Sequence, residues 1–195
     1  MQMITSLANN QHRILAPLDI FFSLLPNISE RTILILCSRL SGVNLITQYI
    51  KEKYSKLFGG EDAVCVLERC TTQIKRSQNR HSKANARVLI CTDKLVSEGF
   101  DEARIDTLIR VLPSNESVQT YGRAMRTHAT KQMPVWFCEV VDMDSEWLIN
   151  MYKSRKRVLS LFTREKRTFS ESTLRYEKDF SYTTQQQKTE TQPNT

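Results

Sequence analysis

The chain has 195 residues, 40% of them hydrophobic and 25% charged, with 28 lysines and arginines against 21 aspartates and glutamates. That length allows one sizeable domain plus an appendage and excludes two full α/β domains, while the composition supports a buried core. The net charge of +7 favours polyanionic partners, and no run approaches the roughly 18–20 apolar residues that would span a bilayer.

Residues 1–27 are mixed and carry an apolar patch, Leu18 to Leu25, between Pro17 and Pro26. That pattern predicts a short helix bounded by the prolines and docked on the main domain. The N-terminus lacks a basic segment followed by a continuous apolar stretch, so a secretory signal is not indicated. A soluble, intracellular setting, cytoplasm or nucleus, is expected.

Thr32 to Cys37 is a continuous apolar run, as in a strand buried on both faces. Val43 to Phe58 then has helical spacing and stops at Gly59-Gly60. The cycle repeats. Ala63–Leu67 reads as a strand, Thr72–Ser82 as a basic helix, Arg87–Cys91 and Thr107–Leu112 as strands, Glu116–Arg126 as a helix and Val135–Val141 as a last strand. Strands alternating with helices predict an α/β fold, a doubly wound, mostly parallel sheet with helices on both faces. Ligands of such folds bind beyond the carboxyl ends of the strands.

After residue 144 the character changes. Ser145 to Arg167 reads as one basic C-terminal helix, with Trp147, Leu148, Met151, Val158, Leu159 and Phe162 as its apolar stripe. Lys153, Arg155, Lys156, Arg157, Arg164, Lys166 and Arg167 supply a dense positive face. Residues 181–195 offer almost nothing to bury and read as disordered. The expected division is thus 1–27 docking segment, 28–144 lobe, 145–180 basic helical extension and 181–195 tail.

Cys37, Cys91 and Cys138 sit inside apolar runs, and none of the five cysteines forms a Cys-x-x-Cys pair. Reduced, buried thiols are expected. His12, His81 and His128 lack metal-ligand spacing, and no metal site is expected.

Two stretches could carry chemistry. In "CTDKLVSEGFD", Thr92 and Asp93 end a strand, Gly99 lets a ligand approach the backbone, and Asp101 could accept a hydrogen bond from a ribose hydroxyl. A plain turn with a capping aspartate also explains it. In "SVQTYGRAMR", Arg123 and Arg126 share a helix face with Gln119, and Gly122 keeps the surface clear. Two guanidiniums held so can stabilise a transferring phosphoryl group. A solvated basic face explains the same residues.

Taken in order, "RVLICTD…SEGFD…TLIRVLPS…QTYGRAMR" resembles helicase motifs V and VI in the second RecA-like lobe of superfamily 2 helicases and translocases. "TILILCSR", Thr32 to Arg39, resembles motif IV, with Leu36-Cys37 where the family usually has an aromatic. Gln73-x-x-Arg76 is similar to a weaker element of some members. The likeness covers roughly residues 30 to 142. It implies that Arg123 is an arginine finger reaching ATP's γ-phosphate with Arg126 assisting, and that Gln119 couples nucleotide to the interface. It further implies that Asp101 touches the ribose, that Gly99 and Gly122 line the cleft, and that Ser38, Arg39 and Thr92 contact a bound strand. Lys156, Arg157 and Arg164 on the basic helix are added nucleic-acid contacts.

Such ATPases hold phosphates and magnesium through a Gly-x-x-x-x-Gly-Lys-Ser/Thr loop and an acidic box in the first lobe. No Gly-Lys dipeptide occurs here, and Asp101-Glu102-Ala103-Arg104 follows a turn rather than a buried strand. The resemblance therefore implies ATP shared with a first lobe supplied elsewhere, Mg2+ bound only through that lobe, and no activity alone. Glutamine rather than histidine at the start of motif VI points away from the commonest RNA-helicase subgroup; it fits DNA helicases and also some RNA-remodelling ones, with DNA favoured over RNA. The compact, divergent form has the style of a large DNA virus or mobile element. The competing reading is a non-enzymatic nucleic-acid-binding or regulatory module; a generic doubly wound domain is the third.

Overall fold

The computed structural model describes residues 2–67, 84–97, 102–114, 121–122, 129, 131, 133–143 and 145–160. Five strands, β1 Ile33–Cys37, β2 Val64–Val66, β3 Val88–Thr92, β4 Thr107–Arg110 and β5 Trp136–Glu139, form one sheet in the order β2-β3-β1-β4-β5. Every pairing is parallel. Parallel neighbours cannot be joined by hairpins, so the crossing segments must cover the faces. The expected α/β architecture is therefore present. All five residues of β1 are buried, which is why that stretch reads as unbroken apolar sequence rather than alternating.

The pleat sorts side chains by parity. Ile33, Ile35 and Cys37 pack on one face with Val88, Ile90 and Ile109. Leu34 and Leu36 pack on the other with Leu89, Cys91 and Leu108.

The first face is covered by α1 Gln2–Asn9, α2 Gln11–Leu24 and α3 Leu40–Phe58. Helix α2 differs from its sequence expectation: it begins six residues before Pro17 and runs through it. The Asn10 side chain caps its start by accepting from the Arg13 N–H at 3.0 Å. Ile14, Leu18 and Phe22 are buried at helical spacing on both sides of the proline, so tertiary burial outweighs one missing backbone bond. A second seam ties α2 to α3. The Tyr49 and Tyr54 hydroxyls each donate to Asp19 Oδ1 at 2.6 Å, and Lys53 Nζ donates to Oδ2 at 2.8 Å.

Two glycines set the ends of α3. Gly59, at φ 101°, closes the helix in a left-handed conformation that a side chain would strain. Gly42, in its first turn, lies against β1: a Cβ there would stand 2.3 Å from Cys37 Sγ.

The other face carries α4 Asp93–Ser97, the helical pair Tyr121-Gly122 and α5 Glu146–Leu159. The Ser145 side chain caps α5 through the Leu148 N–H. Two residues of α5 exchange the places expected from sequence. Trp147 is 47% exposed, whereas Arg155 is only 2% exposed. The period explains both: Leu148, Met151, Arg155 and Val158 follow at intervals of three, four and three, and Trp147 falls beside that stripe. The portion of the predicted helix beyond Ser160 lies outside the described residues. No helix among the described residues is long and apolar enough to cross a membrane.

The four described cysteines, Cys37, Cys65, Cys91 and Cys138, are buried, as the apolar runs around Cys37, Cys91 and Cys138 predict.

Candidate functional site

All strands run the same way, so their carboxyl ends share one edge. Ser38 follows β1, Thr92 ends β3, Arg110 ends β4 and Glu139 ends β5. Register brings these ends level: Cys37 pairs with Thr92, Leu36 with Arg110, and Arg110 with Glu139. Sequence motifs far apart in the chain meet at this edge.

The Ser38 hydroxyl stands 3.0 Å from Asp93 Oδ2 and 3.3 Å from the Pro113 carbonyl, and its single proton serves one at a time. Asp93 is 8% exposed and faces Arg110, whose Nε stands 3.4 Å from Asp93 Oδ1. Arg110 is 1% exposed. Its Nη1 donates to the Tyr121 hydroxyl at 3.4 Å, and its guanidinium stands 5.5 Å from the Tyr121 ring centre. Tyr121 donates in turn to Glu139, and its ring packs edge-on against Phe137 at 5.1 Å. Arg155 completes the chain, with Nε 3.1 Å from Glu139 Oε2 and Nη1 donating to the Ser114 carbonyl at 2.9 Å.

Two carboxylates, Asp93 and Glu139, are thus buried against two guanidiniums, Arg110 and Arg155. Such charges stay ionised inside a protein only when paired and hydrogen-bonded. Burial, with Glu139 adding to it and the two arginines opposing, pushes the Tyr121 phenol far above its ordinary value. The phenol therefore remains a donor to Glu139 across the working pH range. Arg110 Nη2 is buried with no hydrogen-bond partner among the described residues.

Of the expected nucleic-acid contacts, Ser38 and Thr92 lie half-buried at this edge and Arg39 is exposed beside it. Lys156 and Arg157 are exposed on α5. Gly122 is half-buried, and a Cβ built on it would meet nothing within 4 Å among the described residues. Gln73, Arg76, Gly99, Asp101, Gln119, Arg123, Arg126 and Arg164 lie outside the described residues. Beyond Asp101, Glu102 is engaged by Arg104, Nε to Oε1 at 2.9 Å.

Sequence reasoning passed over Arg110, Glu139 and Arg155 as site residues. The signal was there: each is a lone charge at a position whose neighbours along the period are apolar. A separate cleft of about 720 Å3 opens at the amino ends of the strands, lined by Thr32, Arg87, Arg104 and Asp106 among others. Asp106 is already engaged there by Arg31 at 3.3 Å and by the Thr32 N–H at 3.2 Å.

Neither a protein-family model nor a curated protein sequence matches the chain. Solved structures do match its fold. The C-terminal part of the Fun30 ATPase domain superposes with a TM-score of 0.54 at 13% identity, over 75% of this chain and 46% of that one. UvsW of T4 superposes with a TM-score of 0.55 at 14% identity, over 82% of this chain and 34% of that one. The chain thus spans less than half the length of either structure. Its fold is a RecA-like α/β fold.

Proposed function

We propose that this chain acts as the second RecA-like lobe of a superfamily 2 helicase or translocase of the non-DEAD type, completed by a first lobe carried on another polypeptide or segment. One observation carries the reading. The segments resembling motifs IV, V and VI meet at the carboxyl edge through Ser38, Asp93, Arg110 and Tyr121. Proteins that use these motifs need them side by side, because one nucleotide and one strand are gripped together.

In this reading Arg123 and Arg126 follow Gly122 toward ATP held mainly by the first lobe. Gln119 couples the nucleotide to the interface, Asp101 touches the ribose and Gly99 lines the cleft. Mg2+ belongs to the first lobe, since this chain has no Gly-Lys loop. Ser38, Arg39 and Thr92 hold the backbone of a nucleic-acid strand, DNA in preference to RNA, without reading its sequence. The chain alone does not turn over ATP.

The test is reconstitution with a first-lobe protein bearing a Walker loop and acidic box. Nucleic-acid-stimulated ATPase should appear and Arg123→Ala should abolish it; full activity in that variant would refute the finger role.

A second reading, a non-enzymatic nucleic-acid-binding module, is favoured by α5, where Lys153, Lys156 and Arg157 are all exposed while Arg155 alone turns inward. Alanine at Lys156, Arg157 and Arg164 should then weaken binding by the lone chain and flatten its salt dependence. Unchanged binding at low salt would remove α5 from the interface.

A further inference from the structure

We infer that Arg155 is a positioning residue, which reaches from α5 through Glu139 to hold the Tyr121-Gly122 turn in place at the carboxyl edge. The inference takes its importance from the second-lobe reading, because the two arginines of that reading follow Gly122 in sequence.

The geometry is specific to this role. Arg155 is the one basic residue of α5 that is buried, at 2% exposure, although Lys153, Lys156 and Arg157 on the same helix face solvent. Its fork is divided between two elements. Nε stands 3.1 Å from Glu139 at the end of β5, and Nη1 donates to the Ser114 carbonyl in the segment that leads toward Tyr121. Glu139 in turn accepts from the Tyr121 hydroxyl. One guanidinium therefore holds both Ser114 and, through one carboxylate, Tyr121. A methionine or leucine would fill the same place on the apolar stripe between Met151 and Val158. Glu139 keeps Arg110 at 3.8 Å when Arg155 is replaced, so its charge does not depend on Arg155 alone for a partner. What the arginine adds is orientation, because a planar fork fixes two acceptors at once.

The Tyr121 ring meets Phe137 edge-on and lies near Arg110, whose Nη1 donates to the hydroxyl, while the hydroxyl's own proton goes to Glu139. Gly122 contributes no side chain, so between these two residues the side-chain contacts are those of the tyrosine.

Amide hydrogen exchange on the full chain tests this at Tyr121 and Gly122, with β1 as the internal reference. Arg155→Met should speed exchange at the turn about tenfold and leave Ile33 to Cys37 unchanged. Tyr121→Phe, which loses only the hydroxyl, should reproduce that local effect. Arg155→Lys keeps a charge opposite Glu139 and should stay within about threefold of the parent chain. Equal acceleration in β1 and at the turn would make Arg155 a stability contact and overturn the inference, as would no acceleration at the turn. If Arg155→Met fails to fold, Tyr121→Phe and Arg155→Lys decide the question. The readout needs neither nucleotide nor partner. Local acceleration together with full ATPase in Arg123→Ala would keep the role of Arg155 and refute the helicase reading.

Discussion

Arg110 and Glu139 are register partners at the ends of two adjacent parallel strands, and both bring a charge into the protein, 3.8 Å apart. Arg110 serves three groups, Asp93, Tyr121 and Glu139. Arg110→Met should therefore cost about 1–3 kcal/mol, because it removes the charge the two carboxylates share while each keeps other contacts. Chemical denaturation measures it. A loss below about 1 kcal/mol would mean that the edge is wetter than its burial implies.

A contact between the first turn of α3 and β1 makes a sharper prediction. Gly42→Ala would place a methyl 2.3 Å from Cys37 Sγ, so the sulfur or the helix must move. We expect a loss of about 1–3 kcal/mol, as for overpacking elsewhere. Cys37→Ala should remove the obstacle, so the double variant should be more stable than the sum of the single losses requires. Strict additivity would contradict the contact.

Alkaline stability follows from the same thiol. Burial, with Asp93 adding to it, lifts Cys37 from 9.0 to about 11, against smaller opposing effects of the neighbouring backbone and Arg13. The unfolded chain releases this proton near pH 9 and the folded chain only near pH 11. The contribution is thus complete below pH 9 and is lost as pH rises through about 11, some 2–3 kcal/mol over the interval. Cys37→Ala should flatten that part of the stability–pH curve. An unchanged slope would assign the loss to other buried groups, such as Cys138, which is raised to about 12.

Much of the fold is legible in the sequence because parallel strands leave an unambiguous trace. The runs at Thr32–Cys37 and Arg87–Cys91 differ from β1 and β3 by a single residue at one or both ends. Pro17 misleads because a proline's local cost is weighed in sequence without the burial of Ile14, Leu18 and Phe22 that offsets it. The site is harder to read. Arg110 and Glu139 each look like an isolated charge inside a strand, and only the order β1-β4-β5 makes them partners. Strand order is a non-local property, so composition and period cannot supply it. Arg155 is the exception, since its place on the apolar stripe was visible in the spacing alone.

Gly122 bears most directly on the central claim, that the carboxyl edge is kept open for a phosphate group from outside the chain. It sits in helix, where glycine costs about 1 kcal/mol relative to alanine, and an added Cβ would touch nothing described in the chain itself. The decisive measurement is Gly122→Ala, read both for stability alone and for ATPase after reconstitution with a first lobe. The account predicts unchanged or slightly higher stability with at least tenfold lower activity. A variant that is as stable and also fully active would contradict it.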